Sequence, residues 1–186
     1  MLATTRLKAI PSAARFIYIC TLCSLFAFSC SAQKVDFDKK LKDLGIQLST
    51  PSKPVANYVT AVRVGNLLFI AGHGPDHPDG SRTIGKVGTD LSIEQGYAAA
   101  KLTAVGILST MKAELGDLNR VKRIVKVNGW VNASPEFGDH PKVINGCSDL
   151  MVAVFGEKGK HARAAMGAGS LPFNQAVEIE MVVEVE

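Results

Sequence analysis

The sequence predicts an α+β fold in which a mixed β-sheet carries two helices packed on one face. Stretches rich in β-branched and apolar residues alternate with two helical patterns, so the predicted order of elements is ββαβαββ. Both helical patterns stand between strands, and such connections are right-handed crossovers that leave the helices on the same side of the sheet. A two-residue spacing between the first two strands indicates a hairpin.

The predicted hairpin opens the domain. Asn57–Val64 (NYVTAVRV) and Leu67–Gly72 (LLFIAG) are rich in strand-forming residues, and Gly65-Asn66 separates them. The stretch that follows, Gly74–Asp90, is dense in glycine, proline and aspartate, which predicts a long loop. Because long loops in compact domains are often functional, this loop is a candidate to line a site.

The strongest helical signal runs from residue 92 to residue 116. Ser92-Ile93-Glu94-Gln95 fits a capping box, and Gly116 fits a C-terminal stop. Between them, apolar residues recur every three or four positions and predict one buried helix face, made of Ile93, Tyr97, Ala100, Ala104, Ile107, Met111 and Leu115.

The rest of the chain predicts a strand, a second helix and two closing strands. Val121–Val131 has the composition of a strand, and Asp139 with Pro141 marks a helix start. Ala162–Ala168 and Ala176–Val185 are the predicted last strands. The buried face of the second helix is predicted to contain Ile144, Cys147, Met151 and either Val154 or Phe155.

The N-terminus has the pattern of a targeting signal. Arg6, Lys8 and Arg15 precede a mostly apolar run, residues 16–30, which is shorter than the ~18 residues expected of a spanning helix. Two processing routes stay open: signal-peptidase cleavage near Cys30, or lipidation of Cys30 at a weak lipoprotein box. A misassigned start codon and an organelle transit peptide are the minor alternatives.

These patterns predict three segments. Residues 1–32 are expected to be the signal peptide or lipoprotein signal, residues 33–55 a lead-in, and residues 56–186 the single domain. Within the lead-in, Asp36–Pro54 predicts a short helix followed by an extended stretch. The mature protein is therefore expected to be periplasmic or secreted, and to touch a membrane only through a lipid anchor at Cys30.

Composition argues against several classes of function. Removing residues 1–32 takes away three of the 21 Lys and Arg residues and none of the 17 Asp and Glu residues, leaving 18 basic and 17 acidic side chains. That balance gives little support for a nucleic-acid partner. Two of the four cysteines, Cys20 and Cys23, lie in the signal, so no disulfide framework or zinc site can be assembled. His73 and His77, with Asp76 and Asp79, lack a third partner at matching spacing, so a metal site is not expected.

Several short motifs occur in a characteristic order along the domain. They are Tyr58, then Ala71-Gly72-His73-Gly74-Pro75, Asn145, His161-Ala162-Arg163, and Leu171-Pro172 followed by Val177-Glu178-Ile179-Glu180. In this order they resemble the RidA/YjgF family, also labelled endoribonuclease L-PSP-like, over roughly residues 55 to 186. The long loop and the phrase DHPKVINGCSDL are similar to its chorismate mutase-like branch. The resemblance implies the RidA/chorismate mutase-like version of the predicted fold.

The resemblance also implies a homotrimer that binds a small carboxylate or imino acid in clefts between subunits, without a cofactor. Arg163 would hold the ligand carboxylate, since the planar guanidinium fork makes two parallel hydrogen bonds to such a group. Glu178 would orient or deprotonate the water that attacks the imine carbon. The other implied ligand contacts are Asn145, Tyr58, Gly72 and His73.

Taken without the resemblance, the same residues have more ordinary interpretations. Arg163 fits a solvated charge at a strand end, and Glu178 shares one face of a strand with three later glutamates. Asn145 fits a partner for a neighbouring turn, and Tyr58 fits strand packing. His161 fits either a surface group at a strand end or a proton carrier.

Departures from the family pattern leave two functions open. Where the deaminases of the family carry a serine before the glycine, this chain has Ala71, and Ala56-Asn57 replaces the usual Gly-Pro. One interpretation is an enzyme that hydrolyses enamine or imine intermediates to 2-oxo acids and ammonia. The other is a trimeric binding module that senses or scavenges carboxylates without turnover. RNA cleavage, which follows only from the family's older name, is the least supported.

Overall fold

The computed structural model describes residues 34–51 and 56–186, and it confirms the predicted order ββαβαββ. The strands are β1 (Ala61–Val64), β2 (Leu67–His73), β3 (Val121–Asn132), β4 (Ala162–Ala168) and β5 (Val177–Val185). The helices are α1 (Phe37–Asp43), α2 (Ile93–Leu115) and α3 (His140–Phe155). Short 3-10 turns lie at Leu118–Arg120, Gly156–Gly159 and Pro172–Asn174.

The five strands form one mixed sheet in the order β1-β2-β5-β3-β4. β3 and β4 run parallel, because α3 carries the chain back between them, and the other neighbours are antiparallel. β5 is the last strand in sequence and the middle strand in space. The mixed sheet predicted from the alternation of strands and helices is therefore confirmed.

Strict alternation in β5 gives the sheet two different faces. The apolar residues at alternate positions of β5 are at most 2% exposed, and the residues between them are partly exposed. The buried set is Val177, Ile179, Met181, Val183 and Val185. Successive side chains of a strand point to opposite sides, so the apolar set covers the core and the glutamates cover the other surface. We call these the helix face and the open face of the sheet.

α2 begins and ends where its capping signals predict. The Ser92 hydroxyl accepts a hydrogen bond from the backbone of Gln95, and the Gln95 side chain accepts one from the backbone of Ser92. Together these contacts satisfy two amide groups that the first helical turn leaves free. At the other end Gly116 has φ of 73°, a left-handed conformation that suits glycine.

α3 buries the face that its sequence predicts. Ile144, Cys147, Met151 and Val154 are fully buried, and Phe155 is 7% exposed. A helix that buries residues at this spacing lies flat on the sheet, with its polar side toward solvent or toward a neighbouring strand. In this fold the neighbour is β4, an edge strand.

The long loop Gly74–Asp90 is attached to the ends of two central strands. The backbone of Val87 donates to the carbonyl of Asn132 at the end of β3. The backbone of Ala176, just before β5, donates to the carbonyl of Thr83. These bonds place the loop beside the start of β5, where Glu178 lies.

The lead-in contributes a short helix to the same unit. Phe37 and Leu41 of α1 are buried, and the Phe37 ring lies 5.4 Å from that of Phe155. The short helix predicted for this segment is therefore present. The predicted signal in residues 1–32 and the lipid anchor at Cys30 lie outside the described residues and stay predictions. Among the helices of residues 34–51 and 56–186, none has both the length and the apolarity needed to cross a membrane.

The two long helices touch at Gly146 of α3. A Cβ added there would overlap the carbonyl oxygen of Tyr97 and lie 3.0 Å from the backbone nitrogen of Lys101, both in α2. Backbone atoms in two packed helices cannot give way as a flexible side chain can. Glycine at this position therefore allows the close approach of α2 and α3.

We predict that Gly146→Ala lowers the free energy of unfolding by about 1 to 3 kcal/mol, the usual cost of an overpacked core contact. Gly138→Ala is the matched control, because a Cβ at Gly138 meets no atom within 4 Å. Urea unfolding followed by circular dichroism measures both changes. Equal free energies of unfolding of the two variants would show that α2 and α3 can move apart without loss of stability.

Candidate functional site

The first candidate cluster surrounds Arg163 on β4. One terminal nitrogen of its guanidinium, Nη1, donates to Asn145 Oδ1 at 2.9 Å and to Ser148 Oγ at 2.9 Å. Both acceptors belong to α3, three residues apart, so they stand one turn apart on one side of the helix. β4 supplies the cation and α3 sets its orientation.

The position of Arg163 in the sheet explains why it reaches α3. Arg163 is the register partner of Val127 on β3, which is fully buried on the helix face. Side chains of register partners point to the same side of a sheet, so Arg163 also points to the helix face.

The charge of Arg163 has no carboxylate beside it within the part of the chain that the structure describes. The ion pairs formed by residues 34–51 and 56–186 do not include it, and both of its acceptors are neutral. Arg163 is partly buried, and a partly desolvated cation without a counter-ion attracts an anion.

The second candidate cluster surrounds Glu178 near the start of β5. Gln175 Nε2 donates to Glu178 Oε2 at 3.1 Å, and the Gln175 side chain is 5% exposed. The other carboxylate oxygen lies over Gly72 of β2, where an added Cβ would overlap it. The absence of a side chain at Gly72 therefore lets the carboxylate lie close to the backbone of β2, and a larger residue there would displace the end of the Glu178 side chain.

The two clusters lie on opposite faces of the sheet. Glu178 is the register partner of Trp130, and Arg163 is the register partner of Val127. Trp130 and Val127 are three residues apart on β3, an odd separation that turns their side chains to opposite sides. Within one protomer, Arg163 and Glu178 therefore cannot face the same ligand.

The structure places the other two predicted ligand contacts apart from Arg163. His73 turns its ring toward α2: Nε2 contacts Thr110 Oγ1 at 2.8 Å and Nδ1 contacts the carbonyl of Ala71 at 2.7 Å. Burial lowers the pKa of His73, so the ring is neutral at pH 7. The predicted ligand contact of His73 stays a prediction that this geometry does not favour.

Tyr58 lies just ahead of β1 and is 52% exposed. Two residues later, the carbonyl of Thr60 accepts a hydrogen bond from the backbone of Ala71. Tyr58 is therefore close in the chain to the strand pair that carries Gly72. Its role as a ligand contact stays a prediction.

The buried thiol and the potential metal ligands of the described chain do not form a site of their own. Burial raises the pKa of the Cys147 thiol to about 12, which keeps it protonated and unreactive at neutral pH. Among residues 34–51 and 56–186, histidine, cysteine and acidic side chains form no group of three or more that could hold a metal ion.

Sequence patterns missed two members of these clusters. Ser148 follows Asn145 by one helical turn, and this spacing was the signal that could have placed it beside Arg163. Gln175 gives no comparable signal, because its contact with Glu178 depends on the 3-10 turn at Pro172–Asn174. In that turn Phe173 has φ of 56°, an unusual conformation for a residue other than glycine.

Comparison with known proteins agrees with the motifs. Residues 38–185 match the model of the family described as “YjgF/chorismate_mutase-like, putative endoribonuclease”. Protein TCP17 of Trypanosoma cruzi is 45% identical over 146 residues, which cover 78% of this chain and 91% of that protein. A 2-iminobutanoate/2-iminopropanoate deaminase of Dermatophagoides farinae is 28% identical over 142 residues, which cover 75% of this chain and 95% of that protein.

A solved structure shows the same fold. The protein Atu1372 of Agrobacterium tumefaciens, whose function is unknown, is 45% identical and superimposes with a TM-score of 0.74. The match covers 81% of this chain and 93% of the Agrobacterium chain. The family model spans most of the chain, Protein TCP17 is 45% identical, and the fold is shared. The chain therefore belongs to the RidA/YjgF family, within its YjgF/chorismate mutase-like group.

Proposed function

We propose that this protein binds small carboxylates at Arg163 and hydrolyses enamine or imine intermediates to 2-oxo acids and ammonia. The observation that carries the proposal is the oriented guanidinium of Arg163, which has two neutral acceptors and no carboxylate partner in the described chain. The deaminase of Dermatophagoides farinae, at 28% identity, supports the reaction class.

The hydrogen bonds of Arg163 leave one edge of its guanidinium for a ligand. Both contacts to α3 use Nη1, and among the described residues no hydrogen bond from Nε or Nη2 is present. Nε and Nη2 form one side of the planar fork, which matches the two oxygens of a carboxylate. Asn145 and Ser148 already hold Nη1 in place. The Arg163 side chain therefore loses little conformational entropy when a carboxylate binds to Nε and Nη2.

Glu178 supplies the chemistry that the hydrolysis needs. A carboxylate can accept a proton from water while the water oxygen bonds to the imine carbon. It can then pass that proton to the nitrogen, which gives an adduct with one hydroxyl and one amino group on the same carbon. The carboxylate next takes the hydroxyl proton and gives it to the nitrogen as the carbon–nitrogen bond breaks, which releases ammonia and leaves a 2-oxo acid. Gln175 fixes one oxygen of Glu178, so the oxygen above Gly72 is the one we assign to this proton transfer.

We propose that a second copy of the chain brings Glu178 to the ligand held by Arg163. Their positions on opposite faces exclude a shared ligand within one protomer. The open face also carries apolar side chains that a monomer leaves in water, including Val62 at 51% exposure and Phe69 at 44%. A cavity of about 280 Å³ lies on this face beside both residues. Such a face is typical of an interface between subunits, and the resemblance implies a homotrimer.

A second function, a binding module without turnover, is favoured by one observation. Ala71, the residue before Gly72, has no hydroxyl to offer a ligand above the glycine. The anchor at Arg163 does not depend on that hydroxyl, so carboxylate binding would survive its loss. Binding and turnover are therefore measured separately below.

We predict that Arg163→Lys weakens the binding of 2-oxo acids such as 2-oxobutanoate by about one to two powers of ten. Lysine keeps the charge but cannot make the two parallel bonds, a loss of roughly 1.5 to 3 kcal/mol. Isothermal titration calorimetry measures the affinity, and the exposed Arg123→Lys is the matched control. Unchanged affinity in Arg163→Lys would exclude the anchor.

We predict that Glu178→Gln abolishes release of ammonia from imino acids generated in situ, while 2-oxo acids bind with nearly the parent affinity. An amide of the same shape cannot accept the proton of the attacking water. Glu184→Gln, a change in the same strand and on the same face, should leave the rate intact. If the parent protein itself releases no ammonia but binds 2-oxo acids through Arg163, the binding module is the correct function.

We predict that sedimentation velocity at micromolar concentration gives a trimer, and that Val62→Asp converts it to smaller species. A carboxylate on the open face would be desolvated in the assembly, at a cost of several kcal/mol. Val152→Asp is the matched control, because Val152 is 37% exposed on α3. A monomeric parent protein would contradict the shared site.

A further inference from the structure

His161, beside the Arg163 cluster, has both ring nitrogens in hydrogen bonds. Nδ1 lies 2.7 Å from the carbonyl oxygen of Gly159, and Nε2 lies 3.0 Å from Ser148 Oγ. A carbonyl oxygen can only accept, so Nδ1 carries the hydrogen and Nε2 of the neutral ring has a free electron pair. The Ser148 hydroxyl therefore donates its proton to Nε2.

Ser148 is also in contact with a cation. Its Oγ accepts a hydrogen bond from Arg163 Nη1 at 2.9 Å. A positive charge at this distance stabilises negative charge on the oxygen, or on an oxygen that forms next to it. Ser148 thus stands between a group that can take its proton and a group that stabilises the resulting anion. This is the arrangement of an activated nucleophile, with the Gly159 carbonyl as the group that orients the base.

The group that orients His161 is rigid. Gly159 is buried, and a Cβ there would overlap the carbonyl oxygen of Met151 in α3. The close approach of these two backbones fixes the direction of the Gly159 carbonyl. Ser148 lies in the middle of α3 and Arg163 within β4, so all the interacting groups sit on regular or tightly packed backbone. Such support keeps a catalytic geometry constant.

The protonation state of His161 suits a general base. Burial lowers its pKa, and the positive charge of Arg163 acts in the same direction, while the hydrogen bond to Gly159 opposes both. The ring is therefore neutral at pH 7, and its Nε2 can accept a proton.

Reactants have access to this cluster. Ser148 and His161 are both partly exposed. His161 also lines a surface depression of about 680 Å³ together with Arg123, Lys160 and Glu184. Neither Ser148 nor Arg163 lines this depression, which gives solvent access to the His161 ring and a route by which its protons can leave.

We propose that Ser148 and His161 form a nucleophile and base pair that gives the protein a second activity, the hydrolysis of small carboxylic esters. Ser148 Oγ bonds to the ester carbonyl carbon, and its proton passes to His161 Nε2. The bond from that carbon to the alcohol oxygen breaks, and the alcohol leaves with the proton from His161. Arg163 stabilises the negative oxygen of the tetrahedral intermediate. Water then attacks the acyl-serine, gives a proton to His161, and releases the acid as Ser148 regains its hydrogen.

This activity shares Arg163 with the imine hydrolysis proposed above but uses a different reacting group. Its residues come from α3, β4 and the turn between them, all in one protomer. It needs neither Glu178 nor a second copy of the chain. The two proposals are therefore distinguishable, because Glu178→Gln should lose ammonia release and yet react as a serine nucleophile as fast as the parent protein.

A fluorophosphonate probe tests the proposal directly, because a serine nucleophile bonds to its phosphorus and releases fluoride. We expect one adduct on the full-length protein at pH 7, assigned to Ser148 by peptide mass spectrometry, together with a burst of p-nitrophenolate from p-nitrophenyl acetate. Ser148→Ala should lose both signals. The exposed Ser170→Ala is the matched control and should keep both.

His161→Gln should slow the labelling of Ser148 by at least about 100-fold at pH 7, which is the contribution expected of a general base. Each sample is first shown to be folded by circular dichroism. Absence of an adduct on folded parent protein overturns the proposal. So does an adduct on another residue, or labelling of His161→Gln at the parent rate, since the serine would then react without its base.

Discussion

The position of β5 between β2 and β3 is the constraint on which the rest of the structure depends. This strand pairs antiparallel with both neighbours, and its alternation of apolar and acidic residues decides which side of the sheet receives the helices. A shift of its register by one residue would bury the glutamates and expose the valines. The core of α2 and α3 and the location of Glu178 are therefore consequences of one pairing.

In both candidate clusters a neutral neighbour orients a charged group on a strand. α3 supplies Asn145 and Ser148, which hold one nitrogen of Arg163 and leave its other edge for a ligand. On the open face, Gln175 holds one oxygen of Glu178 while Gly72 leaves space for the other. In each case a neutral side chain sets the direction of a charged one. A neutral partner does not neutralise the charge, which stays available to a ligand.

The separation of these clusters onto opposite faces gives the proposed assembly its physical reason. A single protomer would hold Arg163 on one face of the sheet and Glu178 on the other, so neither residue would face the other across a ligand. Association of copies through the open face would cover Val62 and Phe69 and bring the two kinds of group together. Oligomerisation and catalysis would then be one event, whereas the pair formed by Ser148 and His161 is complete within a single chain.

The sequence by itself determined the fold class and the limits of most elements. Hydrophobic periodicity, the capping box at Ser92 and the glycine at Gly116 act within one helix or strand, so they can be recognised without knowing the rest of the molecule. The order of short motifs also identified the family and singled out Arg163, Asn145, Gly72 and Glu178.

Only the tertiary structure decided which of these residues meet. The contact of Arg163 with Asn145 depends on the parallel pairing of β3 and β4, and that of Glu178 with Gly72 depends on the pairing of β5 with β2. The ring of His73 lies against α2, because β2 turns that side chain toward Thr110, and its predicted contact with a ligand stays a prediction. Contacts between distant segments follow from strand order and register, and neither is encoded in the spacing of residues along one element.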